Sequence, residues 1–460
     1  WGQCRTHKAQ MEFLYRFENI MLFASELHEH RYSLSQARPG GNAIRRILRK
    51  GSSRFPLDKA GGGRNPSIFD VVNYGPSTNE LGLIRRKGDG TLLAPSASRG
   101  ALLAAEYDKA VKPVEQLLYS LRAAKDISRK DAEKLGDWIC PCALSKFPGE
   151  RTALRSILLG EIDKSDDDDR QRRKSLLLLL SLAQAMPNAE DPSWSFPNAV
   201  YYLQAGKKKF PIPSDLEQTC SSWALFQART YAQYAITGLW SSLLSELNAA
   251  PRKELSIEKV VPIWLEQIKQ SGALADILPG INSADPPIRE IIQRLEKIGG
   301  WAPGGASVRS LQGVVSEGAG KSSAVSEFSL ADRLDDEYEA DRIYALALVS
   351  TVLLIATLLR WRKADVSDWA FDWALDEGGH QRLSVRSLGE DLEERKELRL
   401  SQFLAWVLRK YVVDQHFFFA TEKLLGGRDT FHFERGDSGL RLIEEDEGGW
   451  YGANYVQSSM

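Results

Sequence analysis

Apolar positions recur along most of this chain at intervals of three and four residues, the period that lines one face of an α-helix. Between Arg5 and His30, Met11, Leu14, Tyr15 and the run Phe17 to Phe23 supply a wide apolar face. Leu102–Lys125 repeats the pattern. Ser128 then offers an N-cap, with Asp131 suited to the positive end of the helix that starts there. The same spacing predicts helices over Glu150–Asp163, Arg172–Met186, Ser221–Asn248, Ser256–Ser271, Pro287–Ile298, Leu334–Lys363 and Leu398–Leu425. Several of these exceed the usual three or four turns, as helices in a large bundle or stacked layers do. No fixed-period repeat is visible, which argues against a regular solenoid.

Strand signals are few. In Leu83–Leu93 (LIRRKGDGTLL), Lys87-Gly88-Asp89-Gly90 is turn chemistry between two short apolar-ended runs. In Asp429–Ile443, Thr430, His432 and Glu434 alternate with Phe431 and Phe433, the two-residue period of a half-buried strand. Gly436-Asp437-Ser438-Gly439 is its turn. Three stretches read as linkers or loops: Ala37–Pro66, around a short helical piece Ala43–Lys50; the acidic run Lys164–Arg170; and the Gly/Ser/Ala-rich Gly299–Ser329. The expected fold is therefore mostly α: a multi-helix body with an N-terminal winged-helix-like module and a small C-terminal β-hairpin. The expected domains are 1–127 (winged-helix-like), 128–298 (helical), 299–330 (linker) and 331–460 (helical with the hairpin).

The first hundred residues are the most informative. Pro76 can open a short helix and Gly82 can close it in the left-handed conformation. The basic hairpin follows at once, and Pro95-Ser96 opens the next helix. Helices, a helix ending in Gly, then a basic hairpin is the order of a winged helix-turn-helix. In that reading Ser77 and Asn79, with Thr78, stand at a helix N-terminus and approach base edges, while Arg85, Arg86 and Lys87 hold phosphates from the wing. Arg45, Arg46, Arg49 and Lys50 add further phosphate contacts. From Arg38 to Arg64 the chain carries a net +7, dense enough for salt-dependent affinity by counterion release. A winged helix can equally be a protein-interaction module, and a basic loop can pair with acidic residues of its own chain.

Charge sharpens this. The formal net charge of −1 argues against a nucleic-acid binder, but residues 1–100 carry a net +8 and residues 331–460 a net −9. An apolar fraction of 43% with 26% charged residues excludes bulk disorder, and 460 residues allow two to four domains. Four cysteines (Cys4, Cys140, Cys142, Cys220) make no disulfide framework, so a reducing, cytoplasmic setting is expected. No signal peptide is read. A chain starting at Trp1 is expected to be a fragment or the ordered part of something longer. Ile343–Leu359 is seventeen residues without a charge, at the lower edge for a membrane span, and is read as a buried central helix with no membrane involved.

Catalytic motifs are incomplete. Ser316–Ser323 (SEGAGKSS) ends like a P-loop, but Val315 stands where the first Gly is needed. Arg409 and His416 lie seven residues apart, which puts them on one face of a regular helix and resembles the HEPN ribonuclease motif, although Lys410 replaces the usual small polar residue. Cys140-Pro-Cys142 is too tightly spaced for a zinc knuckle, and nothing in sequence brings Cys4, His7, His28 or His30 to it, so the thiols are read as buried and no metal or cofactor is expected. The aromatic series Trp223, Phe226, Tyr231, Tyr234, Trp240 is read as core, and the carboxylates from Asp332 to Asp341 as helix-start and surface charge. The chain is therefore read as a binding protein more than an enzyme, with a HEPN-like ribonuclease acting through Arg409 and His416 as an alternative.

Three passages carry a family resemblance: Glu150–Leu154 to Leu159-Gly160 followed by Arg172–Leu176; His416–Leu425 leading into Asp429–Glu434; and Asn79–Ala105. Together they resemble large helical proteins encoded beside helicases, nucleases and methyltransferases in bacterial anti-phage defence loci. The resemblance rests on hydrophobic pattern and transfers no functional residue. It implies a subunit of a multi-protein defence system, with DNA and other subunits, a helicase or nuclease among them, as partners.

Overall fold

The computed structural model describes residues 6–28, 41–57, 74–87, 92–162, 166–185, 212–298, 325–362, 385–425 and 429–443, with Gly427 and parts of 196–209. Of these, 75% are helical, and the strands are few and short. The chain divides into two compact units, Trp1–Leu176 and Leu177–Met460.

The first unit runs α1 (His7–His28), α2 (Gly41–Leu48), β1 (Arg54–Pro56), α3 (Tyr74–Glu80), β2 (Ile84–Lys87), β3 (Leu92–Pro95), α4 (Arg99–Val111), α5 (Glu115–Leu121), β4 (Asp126–Ser128), α6 (Arg129–Ile139) and α7 (Pro148–Leu158), and it ends within α8 (Asp167–Ala185). The apolar stripe of α1 lies along α6. Ile20, Phe23, Ala24 and Leu27 are buried against Ala132, Leu135 and Ile139, with Ile44, Phe55 and Ile127 completing the core. Phe23 stacks on Phe55 at 4.8 Å. Ser128 caps α6 by accepting the Asp131 N–H at 3.1 Å, an interaction worth about 1 kcal/mol. Pro113 sits in a tight 3-10 turn, Lys112–Val114, between α4 and α5, where the sequence suggested one helix.

Two separate antiparallel ladders form in this unit: β1 with β4, and β2 with β3 in the register Ile84↔Pro95 to Lys87↔Leu92. The β2–β3 ladder has no third strand among the described residues. The acidic run is not a solvated loop. Asp167 starts α8, and Asp169 is buried at 1% exposure between Arg99 and Arg172.

In the second unit β5 (Gln204–Ala205) pairs with β6 (Lys208–Lys209), and α9 (Glu217–Ala249) follows. Next come β7 (Glu254–Leu255), α10 (Ile257–Ser271), α11 (Ala273–Ile277), α12 (Ile288–Ile298), α13 (Glu327–Glu339), α14 (Ile343–Arg362), α15 (Val385–Glu394), α16 (Leu400–Val407), α17 (Asp414–Leu425), β8 (Phe433–Arg435) and β9 (Leu440–Leu442). Helix α14 is the one described helix long and apolar enough to cross a membrane. It lies inside the unit, packed by α9, α10, α13 and α15, with 89% of Ile343–Arg360 buried. A helix apolar on every side is what the centre of a large helical core requires. The expected single helix Leu334–Lys363 is two, because Asp341 adopts φ 53° between α13 and α14. The last three strands form one sheet in the order β7-β9-β8.

A closed polar cluster sits in this core. Glu327 and Arg360, 0% and 1% exposed, pair directly, and both carboxylate oxygens also accept phenol hydrogens, from Tyr201 and Tyr202 at 3.0 Å each. Burial, then the Glu327 charge, pushes both phenols well above the ordinary tyrosine range. Every carboxylate oxygen here has a partner, which marks the cluster as a fixed core element and not an open site.

Candidate functional site

Helix α3 ends in a left-handed glycine. Gly82 has φ 61°, its N–H donates to Asn79 O at 2.8 Å, and the Leu83 N–H donates to Thr78 O at 2.9 Å. These are the two hydrogen bonds of a Schellman cap, which turns the chain directly into β2. Arg99 closes the cap from outside by donating from Nη1 to Leu81 O at 3.3 Å, and its guanidinium is held in turn by Asp169 and Asp166. Gln10 of α1, buried, brackets Leu93 of β3: it donates from Nε2 to the carbonyl at 2.6 Å and accepts the N–H at 2.8 Å. The hairpin is thus tied to α1 and, through Arg99, to α4 and the start of α8.

On this frame Arg85 and Arg86 are exposed, as are Ser77 and Asn79, but α3 begins at Tyr74, so Ser77 and Asn79 stand from its midpoint onward and not at the expected helix N-terminus. The Lys87 backbone pairs with Leu92; its side chain is outside the described residues, as are Gly88–Thr91 at the tip. On α2, Arg46 and on the following turn Arg49 and Lys50 are exposed, whereas Arg45 is half-buried and lies 3.9 Å from Glu26. Among the described residues no ion pair engages Arg46, Arg49, Lys50 or Arg85. Arg38, Lys59 and Arg64 are outside the described residues.

The structure does not gather all of these side chains at one point. The hairpin is fixed near Gln10 and α2 near Glu26, sixteen residues along α1, or about 24 Å at 1.5 Å per residue. The two basic groups are therefore attached at separate points along α1.

No family model, no curated protein and no solved structure matches this chain.

The remaining sequence motifs take other roles. Arg409 lies in a π-helical turn, Leu408–Val413, which winds fewer degrees per residue than an α-helix, so the seven-residue spacing to His416 no longer implies one shared face. Arg409 instead pairs with Glu258 of α10. His416 stacks on Trp240 at 4.7 Å and accepts the His432 N–H at Nε2, at 3.2 Å. Burial first, then His432 and Lys423, pulls its imidazole down to about 4. Tyr231 and Tyr234 are core, while Phe226 is exposed at 43%. Glu337, among the carboxylates before α14, is buried between Arg333 and Arg342. The P-loop-like segment 316–323 is outside the described residues.

Sequence reasoning missed one cluster. His28, at the end of α1, meets Cys140 and Cys142, which follow α6. Cys4 and His30 are outside the described residues, and His7 sits at the opposite end of α1 from His28. Helical periodicity predicted the two helices but not their register against each other.

Proposed function

We propose that this protein is a non-catalytic, nucleic-acid-contacting subunit of a multi-protein assembly, and that its N-terminal unit engages duplex DNA in the manner of a winged helix. The observation that carries the reading is the exposed pair Arg85-Arg86 on a hairpin that leaves a Schellman-capped helix directly. Arg85 and Arg86 hold phosphates, the exposed Ser77 and Asn79 face the bases, and Arg46, Arg49 and Lys50 hold further phosphates. Arg45, tied to Glu26, contributes by orienting α2 more than by direct contact. The resemblance to defence-locus proteins supports other subunits, a helicase or nuclease, as partners.

The test is fluorescence anisotropy of labelled duplex DNA at several salt concentrations. Charge reversal of Arg85 and Arg86 is expected to weaken binding and flatten its salt dependence. Binding unchanged by the reversal removes the hairpin from the interface.

A second reading, a protein scaffold without nucleic-acid contact, is favoured by one observation. Leu177, Leu179 and Leu180 of α8 are exposed at 37%, 42% and 55%, a cluster of apolar side chains of the kind that interaction surfaces present. It predicts no DNA affinity at any salt and a stable partner in co-purification.

A further inference from the structure

We propose that His28, Cys140 and Cys142 form a binding site for a single thiophilic divalent metal ion of the zinc class. The three residues come from two segments more than a hundred positions apart. One donor atom from each lies within 4.8 Å of the other two. Cys142 Sγ is 3.1 Å from His28 Nδ1 and 3.1 Å from Cys140 Sγ.

Local chain chemistry builds this convergence. Cys140 precedes Pro141 and is therefore extended, at φ −68° and ψ 135°, which ends α6. Pro141 then opens the tight turn Pro141–Lys146, which brings Cys142 back beside Cys140. Trp138 stacks on Phe147 at 5.9 Å across the two ends of this turn. On the other side, α1 approaches α6 so closely that a Cβ on Gly136 would lie 2.7 Å from His28 Cβ. Gly136 is the residue that lets the imidazole reach the thiols.

The imidazole is oriented as a ligand. Its Nε2 faces Asp137 Oδ1 at 3.2 Å. An ionised carboxylate can only accept, so in the neutral ring that binds a metal Nε2 carries the proton and Nδ1 turns its lone pair toward the sulfurs. Carboxylate, histidine and metal in series is the usual support of a zinc-bound imidazole. Ordinary buried thiols require neither the histidine nor the aspartate.

Distances and charge also fit. Zn–S bonds of about 2.3 Å and Zn–N bonds of about 2.0 Å at a tetrahedral angle put S···S near about 3.8 Å and N···S near about 3.5 Å. The two edges at Cys142 need to open by roughly 0.4–0.7 Å, and the third, between Cys140 and His28, already lies within 4.8 Å. On binding, both thiols release their protons to solvent, and the two thiolates cancel the ion's charge. A set of two sulfurs and one imidazole selects zinc-like ions over magnesium or calcium. Cys140 is buried, while His28 and Cys142 are half-buried and give the ion a way in. Solvent completes the coordination of a three-ligand site.

The experiment titrates the reduced, chelator-stripped full chain with Co²⁺ and then displaces it with Zn²⁺. The expected result is an intense ligand-field absorbance of tetrahedral cobalt with a near-ultraviolet thiolate charge-transfer band, saturating at a single ion and abolished by Zn²⁺. Cys142→Ser and His28→Ala lose the spectrum while keeping the wild-type circular dichroism, and Cys220→Ser retains it. Asp137→Asn keeps the spectrum with affinity lower by about ten- to a hundredfold. No cobalt spectrum in the folded wild-type chain overturns the proposal, and so does a spectrum that survives Cys142→Ser. If a Cys140–Cys142 disulfide forms on mild oxidation and the reduced chain ignores both metals, the pair is a redox dithiol and the metal site is refuted.

Discussion

Arg99 holds Asp169 in a bidentate ion pair, with Nη2 to Oδ2 at 2.6 Å and Nη1 to Oδ1 at 3.0 Å, and both side chains are buried. The same guanidinium donates to Leu81 O at the end of α3, so one arginine ties the base of the hairpin to the start of α8. Removing one partner of a buried pair strands the other in low dielectric. Arg99→Met is therefore expected to destabilise the N-terminal unit by about 3 kcal/mol. Arg172, also on Asp169, retains part of the compensation. Urea unfolding followed by tryptophan fluorescence measures this, and wild-type stability in the variant would show the pair to be dispensable.

The second basic group makes a separate prediction. If Arg46, Arg49 and Lys50 each hold a phosphate, replacing all three by alanine lowers the slope of log affinity against log salt by about 0.9 for each phosphate no longer neutralised. The loss is uniform across DNA sequences, because phosphates carry no base identity. A variant that binds long duplexes with the wild-type slope would place α2 away from the nucleic acid.

Much of the helical framework was legible because burial of one face imposes a period that survives in the sequence. Helices such as Ile257–Ser271 and Ile288–Ile298 lie within a residue or so of their predicted ends. The basic hairpin was legible for a related reason, since Gly82 and the Lys87–Gly90 turn chemistry are local signals. What escaped was set by distant partners. Four consecutive aspartates look like solvent-exposed charge until Arg99, some seventy positions earlier, pairs with Asp169 and Asp166 and draws Asp169 into the core. The π-turn at Leu408–Val413 was not read from the hydrophobic period, yet it breaks the α-helical register between Arg409 and His416. The cysteine pair looked inert because its histidine comes from the far end of another helix.

Two glycines predict opposite outcomes for the same substitution. A Cβ on Gly100 would overlap the Leu83 carbonyl oxygen and stand 3.1 Å from Pro95 Cα, backbone atoms that cannot step aside. Gly100→Ala is expected to displace the hairpin from α4 at a cost of about 2 kcal/mol, an overpacking penalty. Gly389, within α15, has nothing within 4 Å of its Cβ position. Gly389→Ala is expected to stabilise the C-terminal unit by about 0.8 kcal/mol, through helix propensity alone. Thermal melts of the two variants read both signs. A neutral Gly100→Ala would show that the packing between α4 and the hairpin is loose.

His416 gives the chain an acid-sensitive element in its C-terminal unit. Its ring is packed against Trp240 and Phe433, and Nε2 accepts the His432 N–H, so the folded state requires the neutral imidazole. Burial, with His432 and Lys423 alongside, lowers its pKa to about 4, whereas an unfolded histidine titrates near about 6.5. Between those values the unfolded chain binds the extra proton. The stabilisation from His416 is thus complete above about 6.5 and drains away as the pH falls toward 4. His416→Gln keeps an acceptor for the His432 N–H and cannot titrate in this range. It is expected to flatten the acid limb of stability against pH between 4 and 6.5 while leaving the neutral-pH value nearly unchanged. A general base works best with a pKa near the working pH, so this depression also predicts that neither the wild type nor His416→Ala cleaves RNA at neutral pH. Urea midpoints across that pH range test the linkage, and an imidazole NMR signal titrating near neutrality would mean that the ring is not held in its aromatic pocket.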